Sequence, residues 1–337
     1  MRLTRATDLI ALAPHVHHTS SGFHMSFLQA VVISLLQGVS ELFPVSSLGH
    51  AVLLPALLHW SSIHETSNDW VAFLVALHIG TATALLIYFW KDWRSVILAL
   101  VRSVQKGEIA SDQDQRLAWM VIFGTIPAGL VGFVLEKPLK SLFASPYLAA
   151  SFLIVNGGIM FLGEQLLKRQ GAFDAAKPDS SAGPAAEAHQ VTEAGTATLD
   201  PEPGRYRDIT QLSWRDAALV GFAQIGALIP GISRSGVTMV AGLVGGLDHE
   251  AAARYAFLLA TPIILAAGVL ELPQLFGPDG KPILGQAIVG MFLAGIAAYL
   301  SVRFLMRYFS FGNRLIPFAY YCLGAGILSL ILLAAGL

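Results

Sequence analysis

Two short stretches contain most of the polar chemistry of an otherwise apolar sequence. Residues 37–50 include an amide, a carboxylate, two hydroxyls and an imidazole: Gln37, Glu41, Ser46, Ser47 and His50. Residues 228–238 include a guanidinium and more hydroxyls: Ser233, Arg234, Ser235 and Thr238. Each stretch interrupts an apolar run with proline, glycine and hydroxyl residues. The two align when Pro44 is placed on Pro230, which also pairs Ser47 with Ser233.

Arg234 is the most informative of these residues. An arginine at the centre of a membrane helix costs about 2.5–3.5 kcal/mol on insertion scales, so it needs a partner or a function. Its planar guanidinium can bind phosphate oxygens through two parallel hydrogen bonds. Ser233, Ser235 and Thr238 add donors, and a helix beginning near Ser235 would direct free N–H groups at an anion. The pattern predicts a phosphate site; the alternative is an arginine that pairs with Glu41 to hold the two stretches together, and both can be true.

Ser47, His50 and Glu41 have the residue types of a hydrolytic site. A serine hydroxyl attacks only when a neighbouring base takes its proton. Ser47 and His50 lie one helical turn apart if a helix opens at Leu48. Glu41 could orient this histidine or bind a divalent cation, because Mg²⁺ and Ca²⁺ prefer oxygen ligands. Gln37, one turn before Glu41, is predicted to face the same pocket.

The sequence leaves the nucleophile open between Ser47 and His50. We favour Ser47, because its alignment on Ser233 places it opposite Arg234, with His50 as the base. The simpler interpretation is that serines at a helix start are caps. His78 lies inside a predicted span; we interpret it as a core histidine, with a pocket role as the alternative.

The composition places much of the protein surface in lipid. The chain has 337 residues, of which 55% are hydrophobic and 13% charged, whereas soluble domains carry about 25% charged residues. Mean hydropathy is +0.63. The net charge of −1 gives no case for nucleic-acid binding. The single cysteine, Cys322, excludes an internal disulfide and a cysteine-based metal site.

Two regions do not fit the membrane pattern. The apolar part of residues 1–24 is too short for a signal peptide, so we interpret these residues as a disordered leader or as a start codon placed too early, with Met25 the working start. Residues 171–207 are rich in alanine, proline, glutamate, glycine and threonine. They contain too little apolar surface to order themselves and are predicted to be a disordered cytoplasmic linker.

The remaining sequence predicts an all-α polytopic membrane protein. A span needs about 20 mostly apolar residues, and six segments qualify: 70–90, 117–135, 147–167, 255–272, 283–306 and 315–337. Around each polar stretch the apolar segments are shorter: 27–43 and 51–60, then 214–229 and 237–247. These predict two re-entrant helical hairpins, because irregular backbone at membrane depth is tolerated only inside protein or beside a water-filled cavity. Residues 91–116 are predicted to be a polar loop.

The order of these segments is a hairpin and three spans, twice, over residues 25–170 and 208–337. Because three is odd, the second unit must start from the opposite face, which makes an inverted-topology repeat with its site near the membrane midplane. Lysine and arginine concentrate in the 91–116 loop, the linker and residues 303–314. These segments are predicted to be cytoplasmic, with both termini outside.

At these two stretches the sequence resembles the undecaprenyl-diphosphate phosphatase family, also called the bacitracin-resistance protein family. That family has Glu/Gln-x-x-x-Glu running into Pro-Val-Ser-Ser-x-Gly-His, matched here from Gln37 to His50. It also has Pro-Gly-x-Ser-Arg-Ser-x-x-Thr, matched from Pro230 to Thr238. The resemblance implies a multi-pass inner-membrane enzyme that hydrolyses a C55 polyprenyl diphosphate to its monophosphate. It also implies inverted repeats, a site opening to the outer face, and recycling of the lipid carrier of cell-wall synthesis.

The resemblance also implies roles for single residues. Arg234, Ser233 and Thr238 would grip the diphosphate, with Ser46 and Ser235 beside them. Gln37 and Glu41 would hold a divalent cation, Mg²⁺ or Ca²⁺, or a water molecule, and Ser47 or His50 would attack. Gln37 is an amide where the family often has Glu, so a metal site here would have less negative charge.

Other interpretations use the same pocket. A lipid-phosphate transporter or flippase would bind the substrate without cleaving it, and inverted repeats with broken helices are also a transporter architecture. Fragments resemble motifs of the phosphatidic-acid phosphatase superfamily. That superfamily has a histidine six residues after the arginine, where this chain has Val240. The sequence leaves open whether the chain is a monomer or a homodimer.

Overall fold

A computed structural model describes residues 25–60, 63, 67–109, 112–135, 145–175, 209–277 and 281–336. Within these ranges the chain forms α-helices joined by short turns and no β-sheet. The predicted leader 1–24 lies outside the described residues, as does the linker from 176 onward.

The α-helices of the described ranges are these, in chain order: α1 Phe27–Ser40, α2 Ser47–Leu57, α3 Asn68–Tyr88, α4 Trp90–Lys106, α5 Gln113–Val134, α6 Pro146–Ala175, α7 Trp214–Gly226, α8 Arg234–Val244, α9 His249–Leu275, α10 Leu284–Ser310 and α11 Ile316–Ala334. Six of them are long and apolar enough to cross a membrane: α3, α5, α6, α9, α10 and α11. They lie at the six predicted segments, so the predicted all-helical membrane class is confirmed.

Two pairs of shorter helices, α1 with α2 and α7 with α8, flank the two polar stretches. They contain 14 and 11 residues and 13 and 11 residues, which is too short to cross a bilayer. Both pairs begin with the same device: Ser26 before α1 and Ser213 before α7 each form a capping box with the residue three positions later. This box satisfies N–H groups that a helix start leaves unpaired.

The prediction of a polar loop over residues 91–116 is wrong, because most of this segment forms helix α4. Trp93, Val96 and Ala99 recur at helical spacing and are buried, and α4 packs on α5. Lys91 and Arg94 lie on the exposed face. The charges therefore belong to one side of an amphipathic helix, which a hydropathy average cannot distinguish from a loop.

Helix α6 is longer than predicted. It continues to Ala175, so the first five residues of the predicted linker, 171–175, are helical. The part of α6 that could span a membrane ends at Arg169.

The long helices hold both hairpins at the middle of the bundle. Helix α1 packs on α3 and α10, α7 packs on α5, and both α2 and α8 pack on α6. Helices α3 and α9 pack against each other. Small residues allow the closest of these approaches: a Cβ at Gly80 of α3 would overlap the Met291 carbonyl oxygen of α10.

We expect Gly80→Ala to destabilise the protein. The added methyl group meets backbone of α10, which cannot move aside cheaply, and overpacking of this kind costs about 1–3 kcal/mol. Thermal unfolding in detergent should therefore occur at a lower midpoint. The matched control is Gly158→Ala in α6, where a Cβ meets no atom within 4 Å. Equal midpoints for the two variants would contradict the close α3–α10 packing.

Candidate active site

The two hairpins meet through an ion pair between Glu41 and Arg234. Glu41 directly follows α1, and Arg234 is the first residue of α8. Arg234 Nη2 donates to Glu41 Oε1 at 2.5 Å, and the two side chains are only 15% and 6% exposed. Within the described ranges the guanidinium makes no other hydrogen bond, so its remaining N–H groups are available to an anion.

The other oxygen of Glu41, Oε2, accepts hydrogen bonds from two residues of the first hairpin. Ser47 Oγ donates to Oε2 at 2.5 Å, and Gln37 Nε2 donates to the same atom at 2.9 Å. A serine hydroxyl directed at a carboxylate has its proton acceptor already in place.

His78 from α3 completes this cluster. Its Nδ1 lies 2.7 Å from the Leu74 carbonyl oxygen, which can only accept, so Nδ1 carries a proton. The other ring nitrogen, Nε2, lies 3.2 Å from Glu41 Oε2 and 3.0 Å from Gln37 Nε2. The preferred interpretation of His78 as a core histidine is therefore wrong, and the alternative, a pocket residue, describes its position.

These groups surround a cavity of about 140 Å³. Its polar lining comes from both hairpins and from α3: Glu41, Ser46, Ser47, His78, Gln224, Ser233 and Arg234. Apolar side chains, among them Leu48 and Ile263, close the rest. The cavity has room for several water molecules, and the His78 and Arg234 side chains in its wall keep 24% and 15% of their surface exposed.

The backbone beside the cavity is strained at Ser46. This residue has a φ of 68°, a region that non-glycine residues rarely adopt. Its Oγ accepts a hydrogen bond from the Gly49 N–H at 3.2 Å and caps α2. Backbone strain of this kind persists where surrounding contacts enforce it, commonly at functional sites.

The caps also correct the predicted alignment of the two stretches. Ser46 caps α2 and Ser233 caps α8 in the same way. The same number of residues separates Ser26 from Ser213 and Ser46 from Ser233. Ser233 is therefore equivalent to Ser46, and Arg234 to Ser47, so the pairing of Ser47 with Ser233 is displaced by one residue.

Asn156 of α6 holds the turns of both hairpins. It is fully buried; its Nδ2 donates to the Pro44 carbonyl at 3.0 Å, and its Oδ1 accepts from the Ser233 N–H at 3.0 Å. One amide thus satisfies a backbone group in each turn and sets the distance between them.

The divalent cation predicted at Glu41 and Gln37 does not fit this arrangement. Both oxygens of Glu41 already accept hydrogen bonds, one of them from the positively charged Arg234. In the described ranges no three His, Cys, Asp or Glu side chains come together. Gln37 Oε1 is buried and unpartnered there, but one amide oxygen falls far short of the six ligands that Mg²⁺ takes. We therefore assign no step to a cation held by the protein, and the cation stays a prediction.

The sequence profile of the bacitracin resistance protein BacA family matches residues 30–328, which include every residue of the cavity. The chain belongs to the BacA family. Similar proteins include an "Undecaprenyl-diphosphatase 2" of Frankia alni, 46% identical over 90% of this chain and 97% of that protein. An "Undecaprenyl-diphosphatase" of Mycolicibacterium paratuberculosis is 47% identical, with coverage of 92% and 98%. Another, of Acidiphilium cryptum, is 44% identical, with coverage of 93% and 100%.

In this BacA-family chain the structure brings most of the predicted residues together. Glu41, Ser46, Ser47, Ser233 and Arg234 line the cavity. Gln37 is buried behind Glu41 and contacts it without lining the cavity.

Besides Gln37, three predicted residues do not line the cavity. His50 Nδ1 donates to the Ser46 carbonyl at 2.7 Å, and its Nε2 lies 2.8 Å from the Tyr321 hydroxyl of α11. The predicted proton transfer from Ser47 to His50 therefore has no hydrogen bond to support it. Ser235 and Thr238 donate to the backbone carbonyls of Phe43 and Arg234, so their hydroxyls stabilise the turn and the start of α8.

Sequence reasoning missed Asn156 and Gln224 and undervalued His78. Gln224 of α7 lines the cavity. It lies as far after the Ser213 cap as Gln37 lies after the Ser26 cap, so an alignment through the caps would have found it. Asn156 gave no signal, because a single asparagine within a long apolar helix has no motif around it.

We expect Asn156→Ala to disturb both hairpins. It leaves the Ser233 N–H without its partner and the Pro44 carbonyl with only the weak Cys322 thiol donor at 3.8 Å, and an unsatisfied buried group costs about 1–3 kcal/mol. Both the unfolding midpoint in detergent and the activity should fall. The control is Asn313→Ala, since Asn313 is exposed and donates to the Tyr308 carbonyl at 2.8 Å. An Asn156→Ala variant as stable and active as this control would contradict the role of the bridge.

Proposed function

We propose that the chain is an integral membrane phosphatase that hydrolyses undecaprenyl diphosphate to undecaprenyl phosphate and inorganic phosphate, and so recycles the lipid carrier of cell-wall synthesis. The observation that carries the proposal is a mostly buried arginine beside a serine hydroxyl that is hydrogen-bonded to a carboxylate. Relatives that match this chain over nine tenths of its length are named undecaprenyl-diphosphatase.

In the reaction that we propose, Ser47 Oγ attacks the terminal phosphorus. The new bond joins Oγ to phosphorus, the anhydride bond breaks, and undecaprenyl phosphate leaves. Glu41 Oε2, at 2.5 Å, takes the hydroxyl proton. Water then hydrolyses the phosphoserine and returns a proton to Oγ, which restores the resting site.

Arg234 has the complementary role of binding the diphosphate. Phosphoryl transfer spreads charge over the equatorial oxygens, and its catalysis is mainly positioning and electrostatic stabilisation. A mostly buried guanidinium such as that of Arg234 stabilises this charge more strongly than one in solvent. The backbone N–H groups at the start of α8 add partial positive charge at the same place.

The architecture that we propose is the inverted-topology repeat. Contacts between helices occur in matched sets: α1 packs on α10 as α7 packs on α5, and α6 packs on α8 as α11 packs on α2. Each of these contacts joins a helix of one unit, α1–α6, to a helix of the other, α7–α11. A twofold axis between the two units would produce such matched contacts, with α4 as an additional helix of the first unit. Excess lysine and arginine in residues 91–116 and 303–314 supports a cytoplasmic location for these segments, in an inner membrane, with the cavity open to the outer face.

Phosphate release by purified protein tests the function. Detergent-solubilised protein given polyprenyl diphosphate should release one phosphate for each monophosphate formed. A transporter or flippase would bind the lipid and release none. The direct Ser47–Glu41 hydrogen bond favours hydrolysis, because binding alone does not require an activated hydroxyl.

We expect Arg234→Lys to lose most activity. Lysine keeps the charge but loses the planar fork that binds two oxygens, and loss of one such donor commonly costs about 10²–10³-fold in kcat. Phosphate release and unfolding midpoint should be measured together. The control is Arg254→Lys, because Arg254 pairs with Asp92 away from the cavity. Near-normal turnover in Arg234→Lys would reject the phosphate-binding role.

We expect Ser47→Ala to abolish turnover and Ser47→Cys to retain part of it, because only the cysteine provides another nucleophile. Phosphate should be trapped on Ser47 when the wild-type reaction is quenched in acid. An active Ser47→Ala variant, together with acid-labile phosphate on His50, would assign the attack to the histidine and leave the phosphatase function intact.

A further inference from the structure

Gln224 presents a buried oxygen that has no hydrogen-bond partner among the described residues. The side chain lines the cavity and is 1% exposed. Its Nε2 donates to the Gly124 carbonyl of α5 at 2.9 Å. A carbonyl oxygen only accepts, so the amide nitrogen must face α5. The side chain lines the cavity, and its Oε1 is buried and lacks a partner among the described residues.

An unpartnered acceptor at this position needs a ligand. Leaving a buried acceptor unsatisfied is unfavourable, and the cavity beside it has a volume of about 140 Å³. An ionised diphosphate presents acceptor oxygens, which an amide oxygen repels. Ser47 and Gln37 direct their donors at Glu41, and the N–H groups of Arg234 that do not bond Glu41 are taken by the diphosphate. A water molecule is the partner with hydrogens to donate and the size to fit.

We propose that Gln224 Oε1 binds and orients the water molecule that the reaction consumes. This inference rests on the proposed phosphatase function. The water oxygen forms a bond to phosphorus, and the bond from phosphorus to Ser47 Oγ breaks. Glu41 accepts one proton of the water and returns a proton to Oγ. The other proton donates to Gln224 Oε1 before the attack and stays on the new phosphate. The same orientation serves a route in which water attacks the diphosphate directly and the anhydride bond breaks.

The two ends of the Gln224 amide have separate tasks. The nitrogen joins α7 to α5, where Gly221 also packs directly on Gly124. The oxygen is free of that packing. Gln37, its equivalent in the first hairpin, uses its nitrogen for Glu41 and does not line the cavity. The water-orienting position is therefore assigned to the second hairpin alone.

Gln224→Met tests the assignment, because methionine has a similar length and no strong acceptor. We expect kcat to fall about 100-fold, as misplacement of a reacting group by about 1 Å can cost this much, with KM unchanged. The unfolding midpoint should fall moderately, because methionine also removes the bond from Nε2 to the Gly124 carbonyl. The control is Gln286→Met: Gln286 also donates its Nε2 to a backbone carbonyl, that of Met25, far from the cavity.

Two kinetic outcomes would overturn the inference. An unchanged kcat would show that Oε1 has no part in hydrolysis, and a raised KM at unchanged kcat would show that Gln224 binds the lipid instead. Both require an active wild-type protein. A wild-type protein that releases no phosphate would instead reject the proposed function.

A second measurement does not depend on a variant that folds. An experimental structure of the wild-type protein with a non-hydrolysable diphosphonate lipid should contain an ordered water about 2.7–3.2 Å from Oε1, on the side of the terminal phosphorus. An Oε1 that contacts a phosphonate oxygen directly, or no water, would overturn the inference.

Discussion

The site depends on one mostly buried ion pair that joins two interrupted helical hairpins. Glu41 and Arg234 come from opposite halves of the chain and meet at 2.5 Å with little exposure. Removal of one member of such a pair leaves an uncompensated charge and typically costs about 3–5 kcal/mol. A diphosphate that reaches Arg234 competes with Glu41 for the guanidinium. The contact that joins the two hairpins is therefore also the contact that a diphosphate would exchange in the reaction that we propose, which would leave Glu41 to accept the proton of Ser47.

The backbone of the two turns imposes a second constraint. At membrane depth each peptide group must find a partner inside the protein. Ser46 and Ser233 cap the helices that follow the turns, and Asn156 satisfies one group in each turn. The polar residues of the motifs are thus divided between two tasks. Some line the cavity, and others, such as Ser235 and Thr238, donate to backbone carbonyls of the first turn and of α8.

Composition and spacing predicted the parts of the structure that depend on local sequence. Twenty-residue apolar segments predicted the six long helices, and an arginine in apolar surroundings predicted a charged partner in the first hairpin. The rotation of each helix was not accessible in this way. Spacing of three residues places Ser47 and His50 on neighbouring positions of one helix, but it does not say which other helices they face. In the structure Ser47 faces Glu41, and His50 faces Tyr321 of α11.

Long-range neighbours were missed for the same reason. His78 and Gln224 reach the cavity because α3 and α7 are held by close packing at Gly80 and Gly221. The positions of glycines in apolar helices do not indicate which other helix will pack against them. The motifs could be identified from the sequence because their members are adjacent in it. The residues that complete the site come from elements whose contacts only the folded chain defines.

Equivalent positions in the two hairpins carry side chains of different chemical type. Counted from the serine caps, Ser47 corresponds to Arg234 and Glu41 corresponds to Leu228. The first hairpin therefore supplies a hydroxyl hydrogen-bonded to a carboxylate, and the second supplies the guanidinium. Two identical hairpins would have placed either two carboxylates or two guanidinium groups together, and like charges in a buried cavity repel strongly. The asymmetry between the hairpins is thus what makes a buried site for phosphoryl transfer electrostatically possible.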